Sequence, residues 1–234
     1  MCKLLKESCA ALGSVLLILL GAAAPTAEAT ILQYDFANSG VFSGTVPTGS
    51  PGVYATAVFD DHGGTGNVTL TMSVFNNLLA GAYINDWYFN INSPSSLTGI
   101  AFNSGVAAAS VDDTTACASN PPCGADGGGY YDFAFHFPTN NPGQLGRGNI
   151  SVYDLTGTSF NASSFDLLSA DHGGNGNHLA AVHVQGYASS AWLGGTVDEG
   201  GGGGSGGPLP EPASFALLGI GLLGVAIMQR RSRH

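Results

Sequence analysis

The sequence predicts an all-β fold, a single β-sandwich of jelly-roll type, and three observations carry that expectation. Asn67 to Phe75 alternates cleanly, with Val68, Leu70, Met72 and Val74 on one face and Thr69, Thr71 and Ser73 on the other. Apolar runs are short and punctuated by Gly, Asn, Pro and Ser, and Gly alone supplies 36 residues. No segment between Thr30 and Glu199 keeps a helical period.

Taken in order, the strand candidates are Ile31–Phe36, Val53–Phe59, Asn67–Phe75, Asp86–Ile91, Tyr130–Phe137, Asn149–Leu155, Ser163–Leu168 and Leu179–Tyr187. Val53–Phe59 alternates less strictly than Asn67–Phe75. Tyr130–Phe137 places Tyr131, Phe133, Phe135 and Phe137 on one face, with Asp132 and His136 on the other. Eight or nine such strands at this spacing are enough for two packed sheets. One pattern occurs twice: Asp61-His62-Gly63-Gly64-Thr65-Gly66-Asn67 returns as Asp171-His172-Gly173-Gly174-Asn175-Gly176-Asn177, 110 residues later. That interval is too wide for a solenoid repeat. The expected structure is two hairpin loops with the same turn chemistry, Gly and Asn supplying positive φ.

Charge excludes one class of partner. The chain has 234 residues and a formal net charge of −10. Its six basic residues sit almost entirely at the ends, and between Thr30 and Gly207 only Arg147 faces thirteen Asp and Glu. Phosphate binding needs a basic patch, so no nucleic-acid partner is expected.

The ends read as addresses. Lys3 and Lys6 precede an apolar stretch, Ala10–Leu20, and Ala27-Glu28-Ala29 forms a small-x-small cleavage site. Residues 1–29 are therefore expected to be a signal peptide taken by the Sec translocon and cut by signal peptidase, with the mature chain starting at Thr30. A cut at Ala24 would put Pro25 just after it, which is unfavourable. Residues 30–199 form the expected ectodomain and 200–207 a Gly-rich linker. In the tail, 208–234, the apolar run Ala213–Met228 is expected to span the membrane as a helix. Arg230, Arg231 and Arg233 follow it and hold that end in the cytoplasm.

Pro210-Glu211-Pro212, the apolar Gly-rich run and the terminal Arg cluster together resemble the PEP-CTERM sorting signal of exopolysaccharide-producing Gram-negative bacteria. The resemblance implies an exosortase as partner, a membrane-anchored precursor, and delivery to the cell surface or extracellular matrix. Ala181-Val182-His183-Val184-Gln185-Gly186, with Ser190-Ala191-Trp192-Leu193-Gly194-Gly195, is similar to the closing strands of many such surface proteins, although Ala191 stands where they carry Gly. That likeness implies a small β-sandwich ectodomain and no particular activity. Trp192 is expected to pack under the last strand, with His183 and Gln185 sharing one strand face.

Ectodomain chemistry is sparse. Calcium is the sharpest ion candidate, with Asp61 and Asn67, or Asp171 and Asn177, as oxygen ligands, but neither loop has EF-hand spacing or the Gly-rich Asp repeat. Asp112, Asp113 and Asp126 are further acidic loop positions. Cys117 and Cys123 remain after leader removal and are expected to form a disulfide in an oxidising compartment. Nucleophile motifs are absent, and a two-carboxylate glycosidase would have to rely on Asp alone. The expected role is thus non-enzymatic, with no cofactor required: a structural or interaction component of the exopolysaccharide layer. The alternative is a carbohydrate- or calcium-binding module, with Tyr130, Trp87 or Tyr153 stacking on extracellular polysaccharide.

Overall fold

The computed structural model describes residues 28–45, 52–118, 123–186 and 190–198. The signal peptide through Ala27, the linker and the whole sorting tail lie outside the described residues. Among the described residues no helix is long and apolar enough to cross a membrane.

Two antiparallel sheets face each other. The first contains β1 (Ile31–Ala37), β3 (Val53–Asp60), β4 (Asn67–Val74), β6 (Leu97–Gly105), β10 (Ile150–Gly157) and β13 (Thr196–Val197), in the order β13-β1-β3-β4-β10-β6. The second contains β2 (Val41–Gly44), β5 (Tyr83–Phe89), β7 (Ser110–Asp112), β8 (Phe133–His136), β11 (Ala180–Gln185) and β12 (Ala191–Gly194), in the order β2-β12-β11-β5-β8-β7. The two-residue β9 (Leu145–Gly146) pairs alongside β5. One short helix, α1 (Thr114–Ala118), starts where the Asp113 carboxylate accepts the backbone N–H groups of Thr115 and Ala116.

Alternation decides which side chains enter the space between the sheets. β1 contributes Leu32, Tyr34 and Phe36, and β4 contributes Val68, Leu70, Met72 and Val74. The opposite sheet answers with Trp87 and Phe89 from β5, Phe133 and Phe135 from β8, and Val182 and Val184 from β11. Aromatic rings meet edge to face across the gap, Phe36 with Trp87 at 5.4 Å and Phe59 with Phe89 at 5.3 Å between centroids. Such pairs add about 0.5–1.5 kcal/mol each beyond the area they bury.

Several expectations need correction. Ser163–Leu168 is not a strand: Ala162–Phe165 forms a 3-10 turn. Asn161 and Ser164 cap that turn reciprocally, and the buried Tyr34 hydroxyl donates to the Phe165 carbonyl at 2.7 Å. Local hydrogen bonding there outcompetes the ladder. Tyr130–Phe137 shortens to β8, and Tyr131 leaves the face of Phe133. It packs instead with Tyr88, Cys123 and Ala125 in a second cluster on the outer side of the sheet. Trp87 and Tyr153, expected as exposed sugar platforms, are 0% and 3% exposed. Strands β2, β6 and β7 had no clear sequence signal, because Gly and polar residues interrupt their alternation.

Candidate functional site

Among the described residues, a linked group of ionisable side chains lies on the outer face of the second sheet. Cross-strand register builds it. Ser43, Trp192, His183, Asp86, His136 and Ser110 stand directly opposite one another from β2 to β7. Asp86 reaches this face through a bulge. On β11, the consecutive residues His183 and Val184 pair with Asp86 and Ile84, so Asn85 is an extra residue in β5. Ile84 and Trp87 both stay in the core while Asp86 turns outward.

His136 bridges two carboxylates. Its Nδ1 lies 2.7 Å from Asp86 Oδ1 and its Nε2 lies 3.1 Å from Asp112 Oδ2. A neutral imidazole has one N–H and donates to only one of them, so this geometry calls for the imidazolium. The hydrogen bond to Asp86 is the main influence raising the His136 pKa above its ordinary value; burial opposes it and Asp112 adds to it. Burial pushes the Asp86 carboxyl up, but His136 and His183 outweigh it and hold it below the usual carboxylate range. His183 Nδ1 sits 3.2 Å from Asp86 Oδ2 and 3.1 Å from Gln185 Nε2, while its ring stacks on Trp192 at 4.2 Å. Chemically this row ties four strands together by charge-assisted hydrogen bonds. Its acids and imidazoles face each other, with a histidine ring standing between Asp86 and Asp112.

The expected site residues fall elsewhere. Asp61 is 4% exposed, and its carboxylate accepts backbone N–H groups from Thr30 (2.7 Å), Gly63 (2.9 Å) and Ala162 (3.4 Å). Burial raises its pKa, but those N–H groups outweigh it and hold it low. Asn67 opens β4 on the exposed side. Asp171 and Asn177 are both exposed, in a loop whose neck is closed by Ser169 and His178. That second loop is therefore not a hairpin. It rests on residues 126–130, through Asn175 Nδ2 donating to the Asp126 carbonyl and His172 stacking on Tyr130. Among the described residues no three His, Cys, Asp or Glu side chains gather into a cation site. Cys117 and Cys123 are joined as a disulfide, with Cα atoms 5.4 Å apart, beside the second cluster. Ala29 and Thr30 lead into β1, while Ala27, Pro210, Glu211, Pro212, Arg230, Arg231 and Arg233 lie outside the described residues.

Sequence reasoning placed His183 with Gln185 on one strand face and noted His136 and Asp112 separately. Nothing in the sequence joined them to Asp86, because the bulge at Asn85 and the register of four strands create the row.

Neither the curated proteins nor the solved structures yield a match to this chain. A family model does match at the C-terminus, described as the PEP-CTERM protein-sorting motif and covering residues 208–231. The chain thus carries, in Pro210-Glu211-Pro212 and the apolar and arginine-rich residues after them, the sorting signal of a PEP-CTERM exosortase substrate.

Proposed function

We propose that this protein is an exported cell-surface or matrix component, delivered by an exosortase, with a structural or interaction role in the exopolysaccharide layer. One observation carries the reading: a sorting motif at 208–231 stands behind a Gly-rich linker and a two-sheet β domain. The domain itself supports a structural role. Two of the three rings considered for sugar stacking are withdrawn into the core, and Tyr130 has His172 stacked on it at 3.9 Å. Mass spectrometry of the mature protein tests the reading, comparing the native host with one lacking its exosortase. A C-terminus shortened near Pro210-Glu211-Pro212 only in the native host is the expected result. An identical C-terminus in both hosts removes the sorting claim.

A carbohydrate-binding reading has one observation behind it. An open groove of ≈ 500 Å³ runs between β6 and the β7–α1 corner, lined by Leu97, Ile100 and Val111 together with the polar Thr98, Asp113, Thr114 and Thr115. Apolar side chains beside a few polar groups are the lining that small-molecule sites use. Calorimetry with polysaccharide from the host decides it, and absence of heat at millimolar saccharide ends it.

A further inference from the structure

Asp61 is a buried carboxylate whose shortest hydrogen bond goes to the residue expected to become the mature N-terminus. Thr30 N lies 2.7 Å from Asp61 Oδ1, and Asp61 N donates back to the Thr30 carbonyl at 3.2 Å. These two bonds sit just ahead of the first register pair of β1 with β3, Ile31 opposite Asp60. Glu28 and Ala29, immediately upstream, are exposed. Asp60, the nearest other acid in sequence, turns its carboxylate to the backbone and ring nitrogens of His62.

We propose that leader removal after Ala29 completes the fold at this point: the freed α-ammonium of Thr30 forms a part-buried ion pair with the Asp61 carboxylate. The proposal rests on the exported, leader-processed reading above. Hydrolysis of the Ala29–Thr30 bond consumes one water. The leader keeps the new carboxylate, and Thr30 keeps an amine that is protonated at neutral pH. An amide N–H donating to a carboxylate becomes a charged donor on the same oxygen, and charge-assisted bonds are roughly twice as strong as neutral ones. The first strand of the sandwich is then pinned to the β3–β4 hairpin by a charged bond in place of the neutral one that the precursor makes. A cut at Ala24 would leave Thr30 as an internal amide and the pair unformed.

The composition makes the test unusually clean. Lys3 and Lys6 are the only lysines, and both lie in the leader. The processed chain therefore holds a single primary amine, at its N-terminus. Protein recovered from the host surface is treated with an amine-acylating reagent at pH 8, and modified species are counted by intact mass. One label per chain on Thr30 reports processing at Ala29. Acylation at least 10-fold slower in the native protein than in urea reports the ion pair. Asp61→Asn should recover most of that reactivity, and Asp171→Asn should leave it unchanged. If Asp61→Asn does not fold, the native-to-urea ratio of the unmutated protein decides alone. A chain labelled once on Thr30 but equally fast in both states overturns the ion pair and leaves the functional reading intact. A single label on a residue other than Thr30 also overturns the pair. Three labels, on Met1, Lys3 and Lys6, mean an uncut leader and overturn both.

Discussion

Asp61–Asn67 and Asp171–Asn177 are identical at six of seven positions, yet the structure uses them in opposite ways. The first is a true hairpin loop between β3 and β4. Its Asp is buried, Gly64 N donates to the Asp61 carbonyl, and Gly66 exchanges backbone hydrogen bonds with Phe160 and Gly157. The second is exposed throughout, and its flanks pair elsewhere rather than with each other as a ladder, Ala170 with Tyr130 and β11 with β5 and β12. It docks sideways onto the loop beside the disulfide, through Asn175 N on the Gly127 carbonyl. Gly and Asn grant both segments the same freedom of φ. What each does with its Asp depends on whether backbone N–H groups from elsewhere converge on it. In the first loop those of Thr30 and Ala162 do, beside the loop's own Gly63; in the second the pattern is turn chemistry alone.

The largest effect should separate the two aspartates. Asp61→Ala strips a buried partner from three backbone N–H groups and should cost about 3 kcal/mol in urea denaturation. Asp171→Ala should stay within about 0.5 kcal/mol. Equal losses would break the comparison. The glycines come next. Gly66 and Gly176 have φ near 80° and 83°, so an added Cβ is strained at both. At Gly66 it would also lie 2.5 Å from the Gly157 carbonyl oxygen, whereas at Gly176 it would meet nothing within 4 Å. Gly176→Ala should cost about 1 kcal/mol and Gly66→Ala at least twice that.

Titration then sets the buried loop against the strand row. Asp61 and Asp86 are held below their ordinary values. Their contributions are present above about pH 3.9, the unfolded value, and disappear as pH falls through the lowered folded values. His136 is held above its ordinary value. Its contribution is complete below about pH 6.5 and is lost as pH rises through the raised folded value. Asp61→Asn should flatten only the acid limb of a stability–pH curve. His136→Gln should flatten the limb that begins above about pH 6.5, by about 1 kcal/mol. An unchanged upper limb in His136→Gln would mean that its two carboxylate contacts contribute nothing. Smallest of all is calcium. N–H groups aimed at Asp61 present their positive ends to any approaching cation, so millimolar Ca²⁺ should move the melting temperature by less than about 1 °C. A larger shift that Asp171→Asn abolishes would return the cation role to the second loop.

Legibility followed periodicity. β1, β3, β4, β10 and β11 were found within two residues because one face of each is a row of core side chains. β5 begins three residues before its predicted start, since the bulge at Asn85 breaks the alternation that would mark it. β6, with Gly99 and Gly105 inside it and most of its surface exposed, has no apolar row to read. Ser163–Leu168, a strand candidate in the sequence, forms none, because the Asn161–Ser164 cap and the Tyr34 hydroxyl satisfy the backbone locally.

By itself the sequence determined the all-β class, the acidic surface, the pairing of Cys117 with Cys123 and the sorting signal behind Pro210-Glu211-Pro212. These depend on composition, on period-two spacing or on contiguous residues, which a linear chain displays directly. Only the tertiary structure decided that Asp61 is buried and Asp171 is not, that Trp87 faces inward, and that Asp112, His136, Asp86 and His183 form one row. Each of those outcomes is set by neighbours tens of residues away. Burial, register and a single extra residue in β5 are properties of packed strands, and no local segment contains them.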